Sequence, residues 1–168
     1  MQVIISDTSC LIDLRKALLI EAFLLLPYEI SILDILFAEE LIKFTDLERS
    51  LLQQGLKILP TSGEGVRKVQ SIQRANSRLS INDCFAFVLA ESIPNSILLT
   101  GDGGLRDLAI GSKVEVHGVL WVVDRMYDEK IITANQVLSV LLLWQMDNRV
   151  RLPKRDLKDF IERFRAIT

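Results

Sequence analysis

The chain has 168 residues, 49% of them hydrophobic and 25% charged, with a formal net charge of −2. That length fits one domain spanning 1–168, and the balance supports a sizeable core, which excludes wholesale disorder. The slight acidity provides no whole-molecule basic footprint, so a nucleic-acid partner would have to be held by a local basic patch.

The chain opens with a short β-branched run, VIIS at 3–6, followed by CLIDLRKALLIEAFLLL, which has the pattern of one or two helices. YEISI at 28–32 is the second strand, and LDILFAEELIKF at 33–44 is an amphipathic helix. LKILP at 56–60 is the third strand, ended by its Pro, with room for a helical hairpin before it. Residues 62–78 place Val66, Val69 and Ile72 at three-residue spacing, which predicts a surface helix. INDCFAFVLAES follows as a more buried helix, and SILLT at 96–100 as an inner strand. A GDGG loop, a short helix LRDLAIG and the strand KVEV at 113–116 complete the alternation. Strands alternating with helices imply an α/β fold, with a mostly parallel sheet covered by helices on both faces.

From about 118 to 168 the pattern is helical and adds no strand: VLWVVDRMYDEK, then TANQVLSVLLLWQMDN with Thr133 as N-cap, then a segment from Pro153 through LKDFIERFR. The middle helix is apolar on too many sides for one buried face, which leaves core packing and a subunit interface both open. No apolar run approaches the ~18 residues of a membrane span, and MQVIISD lacks the basic start of a signal peptide, so a cytoplasmic location is expected. Cys10 and Cys84 form no CxxC pair and have the character of small buried hydrophobes. His117, the only histidine, has no ligand motif near it. Chemistry in this chain must therefore rest mainly on carboxylates.

Ligands of an open parallel sheet bind beyond the carboxyl ends of its strands. Asp7 directly follows VIIS, and Asp102 follows SILLT. Each also has a purely local explanation: Asp7 as a helix cap, Asp102 as a turn residue beside Gly103 and Gly104, and Asp83 as the last residue of the capping box Ser80-Ile81-Asn82-Asp83. Glu39 and Glu40 would be solvated residues in the first turns of their helix.

Taken together, ISDTSCLIDL at 5–14, FAEEL at 37–41, LSINDCFAFVLA at 79–90 and LLTGDGGLRDLA at 98–109 resemble the PIN-domain ribonucleases, particularly the VapC-like toxins of toxin–antitoxin pairs. HGVLWVVDRMYDEKIITANQ also resembles a less characterised branch of these toxin-like proteins, so the resemblance covers nearly the whole chain. It implies a PIN-like three-layer fold with a helical C-terminal tail, and a cleft whose acids hold one or two Mg²⁺ or Mn²⁺ ions for RNA hydrolysis. It places Asp7, Asp83 and Asp102 on the metal-site aspartates, with Glu40, or Glu39 after a one-residue shift, as the glutamate. Thr8, Ser9 and Thr100 fall where such proteins often hydrogen-bond these acids. The chain departs from the pattern at Gly104, where many relatives carry a further acid, for which Asp107 is a candidate substitute.

Hard divalent ions take oxygen ligands, so carboxylates suffice without histidine or cysteine, and a bound ion can activate water for displacement at phosphorus. Basic side chains should flank such a cleft to hold the RNA backbone. Arg106 is the first candidate, followed by Arg74 and Arg78, with Arg67 and Lys68 in the same segment. Phe85, Phe87 and Trp121 have the pattern of core residues rather than base-stacking platforms. The expected partners are an RNA substrate, an antitoxin protein and a second copy in a homodimer, the last suggested by the mean hydropathy of +0.29. The competing expectation is a PIN-fold interaction module without turnover.

Overall fold

The computed structural model describes the backbone of residues 1–168 and every side chain except that of Glu40. A five-stranded sheet is built from β1 (Val3–Ser6), β2 (Glu29–Leu33), β3 (Lys57–Leu59), β4 (Ile97–Leu99) and β5 (Glu115–His117). Its order is β3-β2-β1-β4-β5, and each neighbouring pair is parallel. Parallel neighbours require crossover connections, which helices supply. Helices α1 (Thr8–Lys16) and α2 (Ile20–Leu24) join β1 to β2. Helix α3 (Asp34–Glu40), a 3-10 turn at Leu41–Lys43 and α4 (Asp46–Gly55) lead to β3. Helices α5 (Gly63–Ala75) and α6 (Ile81–Ser92) carry the chain back to β4, and α7 (Gly103–Gly111) leads to β5. The tail is α8 (Val119–Asp128), α9 (Ala134–Met146) and α10 (Lys154–Ile167).

The inner strands β1 and β4 read as continuous apolar runs because both faces are covered: Ile4, Ile5, Ile97, Leu98 and Leu99 are all buried. Helix α6 packs on β1, β2 and β4 and carries α5 and α7. Helix α1 meets α2, α3 and α8, and α8 extends the layer to β5 and α9, against which α10 packs. This is the α/β architecture with a helical C-terminal part that the strand–helix alternation predicts.

Element ends differ from expectation where the sequence offers no glycine. Leu18, Lys113 and Lys130 all have left-handed φ, at 57°, 60° and 59°. Each follows the C-cap of a helix and closes a paired 6→1 and 5→2 bond set, for example Leu19 N–H to Leu14 O and Leu18 N–H to Arg15 O. This geometry stops a helix, and glycine usually supplies it. It divides the first helical run into α1 and α2, and it moves the start of the last strand from Lys113 to Glu115. The GDGG loop is also shorter than expected, because Asp102 caps α7 and Gly103 and Gly104 lie inside its first turn.

The apolar excess of α9 is largely absorbed by the fold. Val137, Val140, Leu141 and Trp144 are buried, and Trp144 Nε1–H donates to Asp13 O, 3.3 Å away. Leu143 and Met146 remain exposed. Among the described residues, no helix is long and apolar enough to cross a membrane.

Candidate functional site

From β1 the chain fills β2 and β3 on one side and then crosses to β4 and β5 on the other. The switch between β1 and β4 opens a crevice at their carboxyl ends, the usual ligand position in such sheets. Asp7 and Asp102 are the acids that follow these two strands.

Asp7 is the N-cap of α1, and its carboxylate accepts hydrogen bonds from Ser9 N–H (3.1 Å), Ser9 Oγ–H (2.7 Å) and Thr100 Oγ1–H (3.0 Å). It is buried, and burial is the main cause that pushes its pKa above the ordinary aspartate value; the bonds from Ser9 oppose the shift, and the nearby Asp83 carboxylate adds to it. Asp83 occupies the capping box of α6, where its Oδ2 accepts from Ser80 N–H (2.9 Å) and its own N–H donates to Ser80 Oγ (3.0 Å). Asp102 donates its N–H to Thr100 Oγ1 (3.0 Å), accepts Leu105 N–H on Oδ1 (2.9 Å) and accepts Arg151 Nη1–H on Oδ2 (3.0 Å). One hydroxyl, that of Thr100, therefore joins Asp7 to Asp102. All three aspartates do the local capping work that their sequence context suggests, and Asp7 and Asp102 are joined through Thr100 as well.

A family model described as DUF3368, PIN domain, matches residues 3–165. The chain belongs to this PIN-domain family. PIN domains are generally nucleases and generally use divalent metals. No individual curated protein matches the chain.

The donors of this PIN domain are all oxygen, which suits Mg²⁺ or Mn²⁺, and a cation beside Asp7 would offset both causes that raise its pKa. Among the described residues, no three His, Cys, Asp or Glu side chains form a group that could hold a metal ion. The Glu40 side chain lies outside the described residues. Glu39 is exposed, and together they end α3 instead of opening it, because the helix begins at Asp34 and gives way to the 3-10 turn at Leu41. Their backbone positions are where the helix dipole disfavours acids, so the dipole does not account for them.

At Gly104 an added Cβ would lie 3.3 Å from Asp102 Oδ1 and 3.2 Å from Leu79 Cδ2, so a side chain there would crowd the Asp102 cap. Asp107 is exposed and lines a separate hollow with Arg78, Leu79 and Gly104. Arg106 is half-buried, with Nη2–H donating to Thr100 O (3.3 Å), which places it beside the strand end. Arg67, Arg74 and Arg78 are exposed, and Lys68 pairs with Glu91 at 2.6 Å. Phe85 and Phe87 are core residues, as expected. Trp121 is not fully interior: it is half-buried, stacks on His117 with ring centroids 4.5 Å apart, and lines a cavity of about 640 Å³ beside Thr100.

Sequence reasoning missed Arg151. It lies 49 residues from Asp102, in the linker between α9 and α10, and its one local signal is the basic stretch from Arg149 to Arg155. It also missed Asp13, which lines the same cavity. Burial raises the Asp13 pKa to about 6, against the pull of Lys16 and with added repulsion from Asp147 and Asp7. Because the folded-state value exceeds the unfolded one, the ionised group opposes folding, and its effect develops as pH rises from about 4 to about 6. The melting-temperature gain of Asp13→Asn over the native protein should therefore grow between pH 4 and pH 7. Thermal melts across that range check this, and a pH-independent difference contradicts the burial-driven shift.

Proposed function

We propose that this PIN-domain protein is a metal-dependent endoribonuclease that hydrolyses RNA phosphodiester bonds, and that it acts as a toxin restrained by an antitoxin protein. The observation that carries the nuclease reading is the Asp7–Thr100–Asp102 link across the sheet's switch point, with the Asp83 charge felt at Asp7. Asp7, Asp83 and Asp102, with Glu40, would hold Mg²⁺ or Mn²⁺. Held there, a divalent ion would supply Lewis acidity. Ser9 and Thr100 fix the Asp7 carboxylate so that it needs little reorganisation. Arg106 at the strand end, with Arg78 and Arg74 farther along, supplies cations for the RNA backbone. The toxin and antitoxin roles rest on the motif resemblance.

A second reading, an interaction module without turnover, is favoured by one specific contact: the Arg151 guanidinium already pairs with Asp102 Oδ2. The nuclease reading is preferred because that arginine is largely exposed, and an exposed ion pair of this kind contributes about 0–1 kcal/mol, little hindrance to a divalent ion.

A homodimer belongs to the same proposal. Leu18, Leu47 and Met146 are exposed, and they bracket one end of α1, which is tied to α4 by Arg15–Glu48 and to the end of α9 by Lys16–Asp147. Sedimentation at tens of micromolar should give twice the chain mass, and a monomer rejects this interface.

Purified protein incubated with a mixed RNA pool should cleave with Mn²⁺ or Mg²⁺ and stop with EDTA. Asp83→Asn, which keeps an acceptor for the capping box, should fold normally and lose at least about 100-fold in cleavage rate. Equal cleavage in EDTA, or full activity of Asp83→Asn, contradicts the proposal.

A further inference from the structure

The cavity of about 640 Å³ beside the carboxylates is not explained by metal chemistry. It is bounded by Cys10 and Asp13 of α1, the first turn of α8, the linker at 151–153 and Phe160 of α10. Its lining includes Thr100, the residue whose hydroxyl joins Asp7 to Asp102, so a ligand filling it would lie next to the aspartates. The volume lies within the range of small-ligand sites, about 300–1,000 Å³, and is ample for one nucleotide.

Its walls carry three kinds of chemistry. Arg106 and Arg151 are each held at the strand end by a single side-chain hydrogen bond, to Thr100 O and Asp102 Oδ2. A guanidinium has five N–H donors, so both forks retain capacity for a phosphate. Trp121 and Phe160 supply aromatic surface, of the kind on which bases stack. Carboxyls supply acceptors, those of Asp13 and Asp156 and that of Asp124, which is paired with Arg163; acceptors match the amino edges of adenine, cytosine and guanine and find no amino group on uracil.

We propose that this cavity binds one nucleoside-phosphate unit of the RNA strand beside the cleaved bond, with the phosphate on Arg106 and Arg151 and the base against Trp121 and Phe160. The inference rests on the ribonuclease reading for its source of ligand. The C-terminal helices are then part of the substrate site, because the linker between α9 and α10 and Phe160 of α10 form its outer wall. The base in the cavity sets a preference at one position next to the cut, disfavouring uridine.

Trp144 is buried and does not itself line the cavity, although its Nε1–H bonds Asp13 O behind the wall, so Trp144→Phe leaves Trp121 as the sole tryptophan reporter at the cost of that one bond. This protein is titrated in EDTA with AMP, GMP, CMP, UMP, inorganic phosphate and RNA trinucleotides, and calorimetry on the native protein repeats the series in case the variant does not fold. Saturable binding is expected, with UMP at least about fivefold weaker than the other mononucleotides. Arg151→Ala should weaken all of them by about tenfold. Trinucleotides binding more tightly than mononucleotides supports a strand ligand, whereas equal affinities assign the cavity to a free nucleotide and overturn the strand assignment. Inorganic phosphate binding as tightly as the nucleotides, or no binding by any ligand while RNA cleavage proceeds, overturns the subsite and leaves the ribonuclease reading intact. Binding without cleavage in any metal supports the subsite and removes the ribonuclease reading.

Discussion

The hydrogen bond from Thr100 Oγ1 to Asp7 Oδ2 spans 93 residues of sequence and joins the ends of the two central strands. It can form because β1 and β4 are parallel neighbours in a register that pairs Ser6 with Leu99, so the next residues, Asp7 and Thr100, emerge side by side. A further backbone bond, Asp7 N–H to Leu99 O at 2.9 Å, continues the ladder one step beyond the strands. A slip of one residue would turn every side chain of β1 to the opposite face, taking Asp7 from the crevice and Ile4 and Ile5 out of their packing. The position of the acids is thus enforced by the same apolar burial that holds the sheet together.

That placement carries an electrostatic cost. Asp7 is buried beside another carboxylate, and its hydrogen bonds from Ser9 and Thr100 offset the burial only in part, since its pKa remains raised. A fold that needed only a cap for α1 could have used Asn or Ser without this cost. Asp102 shows the complementary solution: it is more exposed, and Arg151 from the distant C-terminal linker supplies the counter-charge. Arg106, bonded to the Thr100 carbonyl, brings a second positive charge to the same strand end. Two acids joined through Thr100 and two arginines therefore meet at one strand end, a mixture of charges that would suit a ligand carrying both a cation and a phosphate.

The parallel sheet was legible because buried parallel strands are plain β-branched and aliphatic runs, and VIIS and SILLT show this clearly. The places of the three aspartates in the fold were legible, because Asp7 and Asp102 directly follow such runs and Asp83 ends a capping box. Helix ends at Leu18, Lys113 and Lys130 were not, because a leucine and two lysines adopt the left-handed conformation that glycine usually announces. The role of Arg151 was hidden for a different reason. Its contact with Asp102 depends on how α8, α9 and α10 fold back over α1 and β5, and hydrophobic periodicity specifies a helix's buried face without specifying where its connecting loop will land.

The central claim is that the carboxylates converge for a divalent cation, and the sharpest test is thermal melting of the native protein and Asp7→Asn, each in EDTA and in excess Mn²⁺. Without metal, Asp7→Asn should melt at the same or a higher temperature, since it removes a buried charge facing Asp83. At about 100 times its Kd, Mn²⁺ should stabilise the native fold by ~2.7 kcal/mol, a rise of roughly 5–10 °C for a chain of this size, and Asp7→Asn should respond much less. Equal shifts in the two proteins, or no shift in the native one, would contradict the account.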